Sequence, residues 1–92
     1  MIDIKYTNED IDRIFEKRVE VVTSEACLKK GVIAEWVIEY PNGQICAFVE
    51  SSFPVNPDNY DYDIGITVCY NKIKNKLWEI CGQYSMITGE KL

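Results

Sequence analysis

The apolar positions along this chain change period several times, and each change marks an element. Thr7-Asn8-Glu9-Asp10 has the form of a helix start, with Thr7 able to cap the first turn and Asp10 at the reciprocal capping-box position. Ile11, Ile14 and Phe15 then recur at i, i+3 and i+4, which predicts a short helix over about 8–17. Val19 to Thr23 is rich in β-branched residues and predicts a strand, followed by a polar connection over 24–30. A second strand over 32–40 places Val32, Ala34, Trp36, Ile38 and Tyr40 on one face. Pro41-Asn42-Gly43 signals a turn, and a third strand runs over 45–52.

Two hairpin registers fit this turn. A two-residue Asn-Gly turn sets Trp36 opposite Val49 and Glu35 opposite Glu50. A three-residue turn, with Pro41 at i+1 of a type I turn and Gly43 left-handed, sets Trp36 opposite Phe48. The second is preferred, because proline pre-sets type I geometry and the like-charged pair is avoided.

After the third strand, Pro54 and Pro57 exclude regular structure. The last element is the strongest pattern in the chain. Ile66, Cys69, Tyr70, Ile73, Leu77, Ile80, Cys81 and Tyr84 fall on one stripe of a helical wheel, with Lys72, Asn75, Glu79 and Gln83 opposite. Asp58, Asp61 and Asp63 crowd its start, as the helix dipole favours, and Gly82 and Gly89 both offer C-terminal stops. The expected fold is therefore one α+β domain over 1–92: a three-stranded antiparallel meander with a short N-terminal helix and a long C-terminal amphipathic helix (α-β-β-β-α). Both hairpin faces carry apolar residues, Trp36 and Ile38 on one and Val37, Ala47 and Val49 on the other. A single helical layer covers one of them, so the other is a candidate interface, self-association included.

Composition narrows the chemistry. At 92 residues the chain buries about two-thirds of its unfolded surface, enough to fold alone. Net charge is −5 and the basic residues are dispersed, with Lys17-Arg18 and Lys29-Lys30 the only adjacent pairs. That disfavours a nucleic-acid backbone as ligand and favours a basic protein surface, including that of a nucleic-acid-binding protein. Histidine is absent, which removes imidazole-dependent triads and His-containing metal sites. Cysteines stand at 27, 46, 69 and 81 without a C-x-x-C pair, unlike a zinc ribbon. With no signal-like or membrane-spanning stretch in view, they read as reduced thiols in cytoplasm, mostly buried; Cys46 is the least constrained. No cofactor is implied.

From the third strand onward the chain resembles a known family. Asn42-Gly43, Glu50-Ser51, Val55-Asn56-Pro57, Asn59-Tyr60, Ile64-Gly65, Lys76-Leu77-Trp78 and Gly82 with Tyr84 follow the order and spacing found in small tailed-phage proteins grouped as the gene-product 49/66 family. The likeness covers about residues 35–85. Phe53-Pro54 departs from the family's shorter Ala-Cys step, and Tyr60 from its usual Phe. The resemblance implies a phage or prophage origin and a bacterial cytoplasm; the family carries no assigned activity.

Candidate sites follow from residue type. Asn56, Asp58, Asp61 and Asp63 suggest a cation loop, but the glycine and terminal glutamate of an EF-hand are missing and helix capping accounts for them. Glu35, Glu39 and Glu50 border the hairpin and suit a basic partner better than acid–base catalysis, since no electrophile or nucleophile accompanies them. Trp78 lies off the core stripe, either packed on the first helix or free as an anchor; Tyr60 and Tyr62 either close the proline loop over the core or face a partner. The binding candidates are thus Trp36, Glu35, Glu50, Tyr60, Tyr62 and Trp78, in a protein expected not to be an enzyme. The leading expectation is an accessory protein that binds and modulates a host protein, as in host takeover or counter-defence inhibition. The alternative is a homo-oligomeric sponge for a nucleotide messenger, with Trp36, Lys72 or Trp78 in its pocket.

Overall fold

The computed structural model describes residues 4–26 and 30–92; Cys27 and Lys29 lie outside them. Helix α1 (Asn8–Arg18) leads directly into strand β1 (Val19–Ala26), then come β2 (Gly31–Glu39), β3 (Ile45–Ser52), a short 3-10 turn (Pro57–Asn59) and helix α2 (Tyr62–Thr88). The expected α-β-β-β-α order holds, and the strands form one antiparallel sheet in the order β1-β2-β3.

Local chemistry explains each boundary. The Thr7 side chain accepts from the Asp10 N–H while the Asp10 carboxylate accepts from the Thr7 N–H, so two otherwise orphaned donors are satisfied at the start of α1. The Asp10 carboxyl is held down to about 2, chiefly by the Lys91 ammonium at 2.7 Å and then by the Thr7 N–H. A depressed carboxylate stabilises the fold above its ordinary pKa of 3.8, and that stability disappears as pH falls toward about 2. Melting curves across that acid window should fall more steeply for the wild type than for Asp10→Asn. Parallel slopes would remove Asp10 from the acid response.

At the other end, Asp61 caps α2 by accepting from the Asp63 and Ile64 N–H groups, and Gly89 closes it in the left-handed region. Gly82 does not stop the helix. Asn56 caps the 3-10 turn in the same way by accepting from the Asp58 N–H, so Asn56 and Asp61 serve as caps while Asp58 and Asp63 supply the N–H groups they bind.

The hairpin adopts the three-residue register. The Gly43 N–H donates to the Tyr40 carbonyl, the Tyr40 N–H donates to the Gln44 carbonyl, and Gly43 takes φ +87°, so Trp36 faces Phe48 and Glu35 faces Val49. One boundary is corrected. Ser24 to Ala26, expected in a loop, continue β1 opposite Gly31 to Ile33. Their polar side chains do not prevent pairing, because Ser24 sits on an exposed face and Glu25 accepts from the Tyr60 hydroxyl at 2.9 Å.

Both helices cover the same sheet face. Val32, Ala34, Trp36 and Ile38 of β2 are fully buried against Cys69, Ile73, Leu77 and Cys81 of α2, and Ile11 and Ile14 of α1 complete one core. Each such Ile or Leu contributes about 1.5–3 kcal/mol by leaving water. α1 runs antiparallel to α2, as Asp12 meets Lys74 at 3.1 Å and the Phe15 and Tyr70 rings lie 5.3 Å apart. α2 is about 40 Å long at 1.5 Å per residue, against about 30 Å for the β2 strand. Its last turn projects beyond the sheet. There the Leu92 N–H donates to the Tyr6 hydroxyl, which donates to Ser85 Oγ, and Ser85 in turn donates to the Glu90 carbonyl, which satisfies the buried serine.

Candidate functional site

Among the described residues no helix packs on the opposite sheet face. Side chains alternate across a strand, so Glu20, Val22 and Ser24 of β1, Ile33, Glu35, Val37 and Glu39 of β2, and Ile45, Ala47, Val49 and Ser51 of β3 all point outward. The register arranges them in rows: Val22–Glu35–Val49 across the middle, with Glu20–Val37–Ala47 on one side and Ser24–Ile33–Ser51 on the other. Val22, Ile45 and Val49 are 69%, 65% and 62% exposed. The outward strand residues include three carboxylates and no Lys or Arg, while Lys17 and Arg18 at the end of α1 border the face beside Glu20, Val37, Glu39 and Ile45.

β-Branched residues form such a face because they favour the pleated strand whether or not something covers it. A contiguous apolar strip rimmed by like charge is unusual on a lone soluble domain and marks a contact surface. Glu35 is placed between two exposed valines, so a partner that covers the valines would desolvate the carboxylate and would have to supply a cation.

The remaining candidates separate. Trp36 is corrected: it is 0% exposed, stacked on Phe48 at 4.7 Å beneath α2, and belongs to the core. Its parity is that of the covered face. Glu50 is also corrected, because it faces Ala34 on the helix-covered side and does not share a surface with Glu35 and Glu39. Tyr60 and Tyr62 reach across to β1, the first donating to Glu25 and the second bonding Thr23 Oγ1 at 3.2 Å, so both close the loop. Desolvation, then the Glu25 carboxylate, pushes the Tyr60 phenol up to about 12. Trp78 is 38% exposed and borders a groove between α1 and α2 with Asn8, Asp12, Asn71, Lys74 and Asn75. Trp36, Lys72 and Trp78 do not meet: the first is buried, the second reaches the Ser51 carbonyl at the β3 edge, and the third faces α1.

The buried thiols among the described residues are not activated. The Cys69 and Cys81 thiols are buried and burial raises both, Cys81 to about 11, so neither is a thiolate at neutral pH. Cys46 lies beside the Tyr40 hydroxyl, and burial first, then that thiol, pushes the tyrosine up to about 12. The tyrosine therefore keeps its proton at neutral pH. Among the described residues no cluster of Cys, Asp and Glu is arranged to hold a metal ion. Nor is any helix long and apolar enough to cross a membrane.

One cationic feature was missed in the sequence reading. Arg13, Lys17 and Arg18 of α1 line a groove of about 280 Å³ that Ile14 and Leu92 help to form. Helical spacing brings Arg13 and Lys17 to one side, and that i, i+4 relation was the available signal. No family model, curated protein or solved structure matches the chain.

Proposed function

We propose that this chain is a non-enzymatic accessory protein of phage or prophage origin, active in a bacterial cytoplasm, that modulates a host protein by docking one of its basic, apolar patches on the uncovered sheet face. The observation that carries this reading is the row Val22–Glu35–Val49, an exposed carboxylate flanked by exposed valines, with no Lys or Arg among the outward strand residues around it. The family resemblance supports the biological setting, and the acidic balance of −5 supports the sign of the partner.

The test is capture from bacterial lysate with three baits: wild type, variants of the face, and a control on the helical side. Glu35→Lys and Val22→Lys alter the face without touching the free edge of β3, and Asn75→Lys adds the same charge on α2. A stoichiometric partner retained by wild type and Asn75→Lys but lost by both face variants is the expected result. The loss at Glu35 should amount to about 2 kcal/mol or more, since a desolvated cation is left facing a like charge. A partner held equally by all baits would defeat the reading.

A second reading has one observation in its favour. The Arg13, Lys17 and Arg18 groove suits an anion, as a sponge for a nucleotide messenger requires. Thermal shift against such messengers separates the two, because a ligand that binds the folded state raises the melting point increasingly as its concentration exceeds Kd. No shift at millimolar nucleotide rejects the sponge.

A further inference from the structure

The free edge of β3 is the least guarded element in the molecule. The Tyr40 N–H to Gln44 carbonyl bond fixes which pairs of the hairpin exchange hydrogen bonds. Alternation then makes Ile38–Cys46, Trp36–Phe48, Ala34–Glu50 and Val32–Ser52 the bonded pairs. Ile45, Ala47, Val49 and Ser51 therefore point their backbone N–H and C=O groups away from β2. Lys72 donates to the Ser51 carbonyl and closes that end of the edge. What stays open is Ile45 to Val49, a run with no proline, no charge and two side chains more than 60% exposed. Natural edges of this kind carry lysines, prolines or bulges to stop pairing. This one has none. The other edge differs, for β1 begins straight from α1 and carries Glu20 and Glu25.

We infer that two copies of this chain pair antiparallel through β3, about a two-fold axis at Ala47, so that two three-stranded sheets join into one of six strands. That register uses the N–H and C=O groups of Ile45, Ala47 and Val49 in both copies. Ala47 faces Ala47 of the second copy, Ile45 faces Val49, Cys46 faces Phe48, and Gln44 faces Glu50. Apolar side chains meet on both sheet faces and no like charges oppose each other. Centring the axis on Val49 would require the Ser51 carbonyl that Lys72 occupies, and centring it on Ile45 would run the strand into the Pro41 turn.

The helices fit the same arrangement. α2 packs on β2 and β3 alike, which sets its axis between them. With strands about 4.8 Å apart, two such helices related by this axis lie about 10 Å apart, the spacing of packed helices. Lys76 stands over the Phe48 ring and pairs with Glu79 at 3.2 Å, so each copy brings one cation and one anion toward the axis. The antiparallel pair of helices sets them against opposite signs. The joined sheets also make one continuous outer face with Ile45 and Val49 at its middle.

Light scattering on the full chain from micromolar to millimolar concentration tests this. The wild type should approach twice 10.7 kDa. Ala47→Pro removes an N–H that points outward in the monomer, where proline is tolerated, and should weaken the dimer at least tenfold. Val49→Lys should do the same by a charge at the junction. Val22→Lys, the same charge on the far strand of the same face, should leave the dimer intact. Circular dichroism and melting verify that each variant folds, and Ala47→Cys in a Cys46→Ser background should form a disulfide-linked dimer under mild oxidation. A wild type that stays monomeric at millimolar concentration, or a dimer that survives Val49→Lys, overturns the inference and leaves the edge to a strand from another protein. Partner capture by Glu35 and Val22 is read separately, so either proposal can fail without the other.

Discussion

Trp36→Ala is expected to destabilise the protein by about 3–5 kcal/mol, the range for removing a large aromatic from a packed core. Trp36 is fully buried, lies flat on Phe48 with an interplanar angle of 21°, and is enclosed by α2 on its other side. Neither the sheet nor a 27-residue helix can collapse into the space it leaves. Domains of this kind hold only about 5–15 kcal/mol in total, so a large part of the stability goes with this one side chain. Trp36→Phe makes the informative comparison. The indole Nε1 is buried without a hydrogen-bond partner, and an orphaned donor of that kind costs about 1–3 kcal/mol. Phenylalanine loses volume but removes the orphan, so the two changes oppose each other and the variant should stay within about 1 kcal/mol of wild type. Urea unfolding gives both values from midpoints at an unchanged m. A Trp36→Ala protein with a wild-type midpoint would mean that this residue is not where the core is formed.

The second large effect comes from a matched pair of glycines in α2. Gly82→Ala should stabilise by about 1 kcal/mol, because alanine is the better helix former and, apart from its own helical turn, nothing stands within 4 Å of the added methyl. Gly65→Ala offers the same backbone gain, yet its methyl would lie 2.5 Å from Val32 Cγ2 and 3.2 Å from Val32 Cβ. Val32 is fully buried and β-branched, so it has no rotamer to retreat into. Relief has to come from lifting α2 off β2, and overpacking of this sort costs about 1–3 kcal/mol. The same exchange in the same helix should therefore have opposite signs. Thermal melts of the two single variants decide it; two stabilised proteins would mean that the α2–β2 contact is looser than the structure has it.

The readable part of this fold is the part carried by neighbours in sequence. Thr7 and Asp10 are three residues apart, and their capping box follows from residue type alone. The same holds for the stripe from Cys69 to Cys81, and for the turn in which Pro41 and Gly43 each have one backbone role. Register then followed from turn length, and with it the parity that separates Glu35 from Glu50. That separation was available in the sequence: residues that face each other across a strand pair share a side, and Glu50 faces Ala34 while Glu35 faces Val49. It was missed because carboxylates near one hairpin read as one cluster until the pleat is drawn.

Other features depended on contacts between distant segments. Ser24 to Ala26 carry no strand signal, and they pair because β2 presents a ladder to them. Tyr60 and Tyr62 were equally suited to a partner or to the chain itself, and hydroxyl acceptors on β1, more than thirty residues away, settle them inward. The basic groove of α1 takes shape only where Leu92 closes it.

By itself the amino-acid order determined the elements, their caps, the hairpin register and the absence of imidazole chemistry, since each is a matter of spacing or composition. Which of two apolar sheet faces goes beneath the helices was a tertiary decision. Both faces offer valines and isoleucines, but the covered one also has the indole of Trp36, and the largest apolar area contributes most by leaving water. Choosing that face is what leaves Val22, Glu35 and Val49 outside, where the protein can meet another surface.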